Sequence, residues 1–133
     1  MGRVMWRAVS LMVTVAWVSA APALAQDQTL SIRSEILDAD RRVFIRLPAG
    51  YEESSDSYPV LYMTDGEGID RRAMPIIESL IQAGTIPELI VVGIPHQGKR
   101  RTDLTPTATA DRPGSGGGEL FLRFVDEELV PEI

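Results

Sequence analysis

Residues 59–95 read PVLYMTDGEGIDRRAMPIIESLIQAGTIPELIVVGIP, and this stretch decides the fold. It begins and ends with nearly continuous apolar runs, at 59–64 and 88–95, which are typical of strands buried on both faces in a helix-covered parallel sheet. Pro75 suits the first turn of an intervening helix and Gly84 suits the position just after it. Apolar residues at helical spacing lie between them: Ala73, Ile76, Ile77, Leu80 and Ile81. The order strand, helix, strand predicts a right-handed crossover unit.

The residues before this unit predict an antiparallel hairpin. Residues 29–37 alternate loosely between apolar and polar side chains, and residues 42–47 alternate Val43, Ile45 and Leu47 against Arg42, Phe44 and Arg46. Such alternation is typical of strands that bury one face. The short polar segment 38–40 joins the two strands as a turn.

The residues after the unit predict a long polar loop and a final helix. The loop covers 97–118 and ends in a glycine-rich stretch, and loops of this length are usually functional or disordered. Residues 119–133 carry an apolar stripe at helical spacing. Pro131 removes a backbone donor from this helix and is expected to bend or end it.

The hairpin, the crossover unit and the final helix together indicate the α/β fold class.

Composition excludes several classes of function. The chain has 133 residues, no cysteine, one histidine (His96) and a net charge of −6. An acidic chain is a poor partner for the nucleic-acid backbone. Without cysteine there is no disulfide, iron–sulfur cluster, cysteine nucleophile or Cys/His zinc site. Any Ser-His-Asp triad within this sequence would have to use His96.

The N-terminus is typical of an export signal. Arg3 and Arg7 precede a short uncharged apolar run, and Ala23-Leu24-Ala25 follows it as a small-x-small cleavage site. The alternative is a permanent membrane anchor, but the apolar run is shorter than the roughly 20 residues that a spanning helix needs. We therefore expect cleavage after Ala25, an exported protein, and no permanent membrane span after cleavage.

Five segments resemble, in order, the N-terminal part of a known enzyme family. Residues 42–51 (RVFIRLPAGY) are similar to its opening strand, which ends L-P-x-G-Y, and residues 58–67 (YPVLYMTDGE) to its Y-P-V-L-Y-L-x-D-G segment. Residues 86–95 (IPELIVVGIP), 101–106 (RTDLTP) and 112–117 (RPGSGG) resemble the segments that follow. The family is the esterase group that includes enterochelin-esterase-like and esterase D-like α/β-hydrolases.

The resemblance implies a carboxylic-ester hydrolase in which a serine attacks the ester, a histidine takes its proton and an acid orients the histidine. The serine stands at a G-x-S-x-G elbow, and this sequence contains none. By resemblance, the serine, acid and histidine are expected beyond Ile133. We therefore expect residues 26–133 to be the N-terminal half of an α/β-hydrolase domain that is inactive as written. The alternative is a non-catalytic exported binding protein that retains half of the fold.

The resemblance also suggests where an oxyanion hole would lie. In this fold one of its two amides comes from the loop after the third strand, here residues 65–68. Gly66 and Glu67 are the candidate donors, and the alternative is an ordinary Gly/Asp-rich turn. Asp65, His96, Arg101 and Asp103 are candidate pocket-lining residues. His96 could equally be a solvated loop residue, and Arg101 with Asp103 could equally be a plain surface ion pair.

Two further features suggest other chemistry and carry less weight. Ser115 lies among glycines, but it lacks the glycine two residues earlier and a preceding buried strand, so we interpret it as part of a flexible loop. The same loop lacks the ending of a phosphate-binding loop. Asp65, Glu67 and Asp70 do not have the spacing of a calcium loop, so no metal is expected. We expect no cofactor, no nucleic acid, and a small-molecule ester as the partner if the chain is completed by the missing half.

The cleavage site can be tested directly. Intact mass and N-terminal sequencing of the exported protein should show a chain that begins at Gln26. Ala25→Leu should block cleavage because signal peptidase requires a small residue at that position. The matched substitution Leu24→Ala leaves both small residues in place and should be cleaved normally. A wild-type exported chain that still carries residues 1–25 would contradict the assignment.

Overall fold

The structure is a computed structural model that describes residues 25–133, so the predicted signal segment lies outside the described residues except for Ala25. Its four strands are β1 (Gln26–Ser34), β2 (Ala39–Leu47), β3 (Val60–Thr64) and β4 (Ile90–Ile94). They form one sheet in the order β1-β2-β4-β3. β2 pairs antiparallel with both β1 and β4, whereas β3 and β4 are parallel. The mixed sheet with flanking helices confirms the predicted α/β class.

Short helices connect and cover these strands. They are α1 (Ile69–Arg72), α2 (Met74–Gln82), α3 (Arg100–Asp103) and α4 (Gly118–Arg123), with single 3₁₀ turns at Tyr51–Glu53 and Gly66–Gly68. After α4 the chain continues as a π-helical segment, Phe124–Leu129, and a 3₁₀ turn, Val130–Glu132. The regular α-helix is thus lost before Pro131, in the region where a break was expected.

The hairpin forms, but its turn lies earlier than predicted. The turn covers residues 35–38 rather than 38–40, and β2 already begins at Ala39. Asp38 adopts a left-handed conformation with φ of 44°, which Asp tolerates better than most residues. Its carboxylate accepts a hydrogen bond from Arg33. Asp38 is therefore the last residue of the turn, whereas the sequence pattern predicted it to be the first.

The crossover unit is confirmed. α2 has Pro75 in its first turn, and Gly84 follows its end with φ of 67°. The two strands on either side of the helix pair in parallel, from Val60 opposite Ile90 to Thr64 opposite Ile94.

The two crossover strands differ in burial, which corrects the expectation for the first. Every residue of β4 is buried, as predicted. β3 is not, because it is paired only on its β4 side within the described residues and forms the edge of the sheet. Val60 and Leu61 remain 36% and 38% exposed. Its apolar sequence is therefore only partly covered.

β4 separates two apolar cores. The core on one face packs against the C-terminal helical segment and contains Val43, Leu47, Ile90, Val92, Ile94, Phe121, Phe124 and Leu129. The core on the other face packs against α2 and contains Ile69, Met74, Ile77 and Val91. Alternate residues of a strand point to opposite faces, so β4 contributes Ile90, Val92 and Ile94 to one core and Val91 to the other.

Glu128 ties the C-terminal helical segment to the hairpin. Its carboxylate accepts hydrogen bonds from the Ser34 hydroxyl and from the amides of Glu35 and Ile36, the latter two at 2.9 and 3.1 Å. Burial by itself raises the pKa of this carboxyl, but these hydrogen bonds outweigh it and hold the pKa below its usual value. The contact therefore stabilises the fold above about pH 4.5 and is lost as the pH falls through the lowered pKa.

Arg41 and Asp103 form a buried ion pair between β2 and α3. Their side chains are 2% and 4% exposed, and both oxygen–nitrogen contacts are 2.9 Å long. Only the Nη2–Oδ1 contact is aligned as a hydrogen bond, and Arg41 Nε has no acceptor among the described residues. The predicted ion pair between Asp103 and Arg101 is therefore wrong. Side chains two positions apart on a helix do not face each other, and the Asp103 carboxylate contacts Arg41 instead.

Breaking this pair should strongly destabilise the fold. Asp103→Asn leaves the Arg41 charge buried without a counter-ion, and the expected loss in the free energy of unfolding is about 3–5 kcal/mol. Asp111→Asn is the matched control, because Asp111 is exposed and its ion pair with Arg112 is long, at 3.6 Å. It should cost less than about 1 kcal/mol in the same urea titration.

The double variant Arg41→Met/Asp103→Leu checks the cause. It removes both charges and should recover most of the loss. Equal stabilities of the two single Asp→Asn variants would show that the ion pair is energetically unimportant.

Candidate active site

The carboxyl ends of β3 and β4 meet at one edge of the sheet, the edge where ligands bind in open α/β folds. A cavity of about 350 Å³ lies there, lined by Asp65, Glu67, Arg72, His96 and Arg100. The first two side chains come from the turn after β3, and His96 follows β4 by two residues. Sequence positions some 30 apart are thus gathered around one opening.

The turn after β3 is held against β4 by a contact between backbones. Asp65 is left-handed, with φ of 56° and ψ of 39°, and directs the chain into the 3₁₀ turn Gly66–Gly68. A Cβ atom on Gly66 would lie 2.6 Å from the carbonyl carbon of Gly93 and from the amide nitrogen of Ile94. Real Cβ atoms do not approach backbone this closely. Only glycine allows the turn to lie directly on the strand.

Arg100 binds Asp65 through two nitrogens. Nε lies 2.8 Å from Oδ1 and Nη2 lies 3.0 Å from Oδ2. These hydrogen bonds lower the pKa of the Asp65 carboxyl and raise the pKa of the guanidinium. The pair joins the turn after β3 to α3 and keeps the left-handed residue in place.

Glu67 holds the loop that follows β4. Its Oε1 atom accepts hydrogen bonds from the amides of His96 at 2.8 Å and Gln97 at 3.3 Å. His96 Nε2 lies 3.4 Å from the same oxygen. The Gly98 amide donates to His96 Nδ1, so Nδ1 is the acceptor nitrogen and a neutral ring carries its proton on Nε2, toward Glu67. The Glu67 carboxylate is therefore engaged in holding the loop after β4, whereas the Glu67 backbone amide takes no part in this contact.

The amides of Gly66 and Glu67 are the first two of the 3₁₀ turn. The first N–H groups of a helical turn have no partner within the turn. Within residues 25–133 neither amide donates to another protein group. Unpaired amides at this edge of a parallel strand pair are groups that could donate to a developing oxyanion.

The structure brings some of the predicted site residues together and separates others. Asp65, Glu67 and His96 share the 350 Å³ cavity. Arg101 lines a neighbouring, larger cavity of about 760 Å³. Asp103 borders an apolar groove beside α4, with its carboxylate bound to Arg41 instead of facing the Asp65 cavity.

Sequence reasoning missed two cavity residues, Arg72 and Arg100. Arg72 ends a helix of a single turn, and no periodicity indicates the direction of its side chain. Arg100 was noted only as part of a charged loop. Its role depends on the one-turn helix α3, which sets the direction of each side chain and was not predicted.

Asp65, Glu67 and His96 also offer ligand atoms within 4.8 Å of one another, a spacing that a metal ion could use. Both carboxylates are already engaged by protein donors. Asp65 faces the Arg100 guanidinium, and Glu67 faces two backbone amides. A cation would have to displace these donors, so the described geometry favours the positioning role.

The glycine-rich segment is ordered by hydrogen bonds rather than being a flexible loop. The amides of Gly117 and Gly118 donate to the carbonyls of Thr102 and Thr105 at 2.9 and 3.0 Å. Ser115 Oγ accepts a hydrogen bond from the Thr109 amide. Ser115 therefore has a structural partner, and no hydrogen bond in the described part of the chain joins it to a histidine.

The sheet order and the crossover are consistent with a partial α/β-hydrolase domain. A family model described as "Putative esterase" matches residues 34–133, and the chain belongs to this family. The match confirms the resemblance identified in the sequence.

Two relatives extend the comparison. The IroE-like serine hydrolase from Shewanella oneidensis superimposes with a TM-score of 0.74 at 33% identity, over 81% of this chain and 38% of that one. The Bacillus subtilis protein YbbA is 28% identical in an alignment of 105 residues that covers 75% of this chain and 42% of YbbA.

A third relative shares the fold. The ferric enterobactin esterase from Salmonella typhimurium has a TM-score of 0.61 at 22% identity, over 87% of this chain and 27% of that one. The chain thus spans about two fifths or less of the length of these three relatives.

The close contact at Gly66 can be tested by adding one methyl group. Gly66→Ala places a Cβ against the backbone of β4, and the expected loss in the free energy of unfolding is about 1–3 kcal/mol or more. Amide chemical shifts of residues 65–69 and 93–94 should move because the turn must lift. Gly68→Ala is the matched control in the same turn, since the three atoms nearest to its Cβ all belong to the flexible end of the Arg72 side chain. Equal stability of the two variants would contradict the contact.

Proposed function

We propose that the chain is the N-terminal part of an exported serine-type carboxylic-ester hydrolase and supplies half of its oxyanion hole. The observation that carries the proposal is the pair of unclaimed amides at Gly66 and Glu67, held over β4 by the Gly66–Gly93 contact. Membership of the esterase family supports the reaction class.

The chemistry assigned to this turn is electrostatic. When a serine attacks an ester, the carbonyl oxygen becomes negative, and amides already aimed at it stabilise the transition state without reorganisation. In this fold one donor comes from the turn after the third strand and the other from the residue after the nucleophile. We assign the first to the Glu67 amide, with Gly66 beside it.

The nucleophile is not assigned to this sequence. It has no G-x-S-x-G segment, and no hydrogen bond of residues 25–133 joins a serine to His96. We therefore propose that the 133-residue chain alone does not turn over esters. The unpaired edge of β3 supports this proposal, because in the family's sheet order the strand that carries the nucleophile lies beside it. Val60 and Leu61 are exposed at that edge.

The second candidate is a non-catalytic exported binding protein, and the absence of a nucleophile motif favours it. The exposed apolar edge argues against it, because an uncovered edge strand invites aggregation. Export itself remains a proposal based on the N-terminal signal pattern. In residues 25–133 no helix is long and apolar enough to cross a membrane.

A chimera tests the oxyanion assignment. Residues 26–133 would replace the matching segment of the Shewanella oneidensis serine hydrolase, and hydrolysis of 4-nitrophenyl acetate would be measured. Glu67→Pro removes one amide N–H at a position early in a helical turn, where proline is tolerated. It should lower kcat about 100-fold or more. Glu67→Ala is the matched control, because it keeps the amide and loses only the carboxylate, so its loss should be much smaller.

Labelling with a fluorophosphonate probe separates the possible outcomes. The chimera and both variants should label at the serine of the grafted partner, while the 133-residue chain should not label. If Glu67→Pro and Glu67→Ala chimeras label alike and hydrolyse at the same rate, the amide is not an oxyanion donor. Labelling of a serine in the 133-residue chain would overturn the proposed inactivity.

A further inference from the structure

A second cavity adjoins the candidate active site. Its volume of about 760 Å³ lies within the range of small-molecule sites. It lies between α3 and the turn at residues 111–114, and Arg100 lines both this cavity and the Asp65 cavity. A molecule bound at the Gly66 and Glu67 amides could therefore extend past Arg100 into the second cavity.

The lining of this cavity is cationic in an acidic protein. It contains Arg100, Arg101 and Arg112 against one acid, Asp111, whereas the whole chain carries a net charge of −6. Arg100 is engaged by Asp65. Arg101 has no ion pair among the described residues, and Arg112 has only the 3.6 Å contact with Asp111. Two guanidinium groups thus remain open to a ligand.

The walls around these guanidinium groups are held in place. The Thr102 hydroxyl donates to the Gly114 carbonyl at 2.6 Å, and the Thr105 hydroxyl donates to the Arg101 carbonyl. The Gly116 amide donates back to the Thr105 hydroxyl oxygen at 2.8 Å. Both sides of the cavity are therefore connected before any ligand binds, which lowers the entropy cost of binding.

We propose that this cavity is an anion subsite that receives a carboxylate on the part of the ester remote from the scissile bond. Arg101 and Arg112 would hold the carboxylate through the planar, two-pronged hydrogen bonding that guanidinium groups offer. The inference rests on the proposed function only in calling the occupant a substrate, since anion binding requires no nucleophile.

The experiment uses the 133-residue chain and a fluorinated probe. Binding of 4-(trifluoromethyl)benzoate is followed by ¹⁹F NMR, and 4-(trifluoromethyl)benzamide serves as the neutral analogue of the same shape. The benzoate should bind about tenfold more tightly, the ratio expected when a charge-assisted hydrogen bond is made. Amide shifts in a ¹⁵N spectrum should change at residues 98–114.

Variants locate the binding. Arg101→Gln/Arg112→Gln should weaken benzoate binding about tenfold and leave benzamide binding unchanged. Arg33→Gln/Arg123→Gln removes the same charge from two exposed arginines elsewhere and should bind benzoate as the wild type does. Asp111→Asn removes the competing carboxylate and should tighten benzoate binding about twofold or more. The dispersion of the amide spectrum verifies that each variant is folded.

Three results would overturn the anion subsite: equal binding of benzoate and benzamide, equal losses in the two double variants, or no benzoate binding up to its solubility limit. These results are independent of the esterase proposal, because the probe has no scissile ester and the chimera assay uses an uncharged one. Benzoate binding with a failed chimera would keep the subsite and reject the oxyanion assignment.

Discussion

The contact between Gly66 and β4 is the constraint on which the rest of the candidate site depends. β4 is buried along its whole length, pairs with two strands and separates two cores, so its backbone is held from all sides. Gly93 and Gly66 carry no side chains, which lets the turn rest on that backbone. The positions of the Gly66 and Glu67 amides are therefore fixed by contact with a central strand of the sheet rather than by a loop.

Charged side chains then connect the turn to the segments around it. Asp65 binds α3 through Arg100, and Glu67 binds the loop after β4 through two amides. α3 is in turn anchored to β2 by the buried Asp103 carboxylate. Each carboxylate is satisfied by donors from a different element, while the Gly66 and Glu67 amides, the proposed oxyanion donors, have no partner among the described residues. This division between occupied side chains and open backbone is what the proposed chemistry requires.

The β3 edge of the sheet fits a partial hydrolase domain. It leaves the apolar side chains of Val60 and Leu61 partly uncovered. The candidate active-site cavity lies at the carboxyl ends of the parallel strands, and the cationic cavity shares Arg100 with it. The open edge lies on β3, and the candidate site begins at the turn that follows the same strand. The esterase resemblance and the exposed apolar surface both support the interpretation that the chain is part of a hydrolase domain.

The sequence by itself determined the crossover, the alternation of β2 and the turn that offers the candidate amides, because periodicity, proline and glycine positions act locally. It also carried the family resemblance that the comparison with known proteins confirmed. Only the tertiary structure decided the partners of the charged groups. Arg41 meets Asp103 across 62 positions, Arg100 meets Asp65 across 35, and Glu67 meets the His96 amide across 29. No local pattern encodes such pairs, since they depend on strand order and on the direction of a one-turn helix.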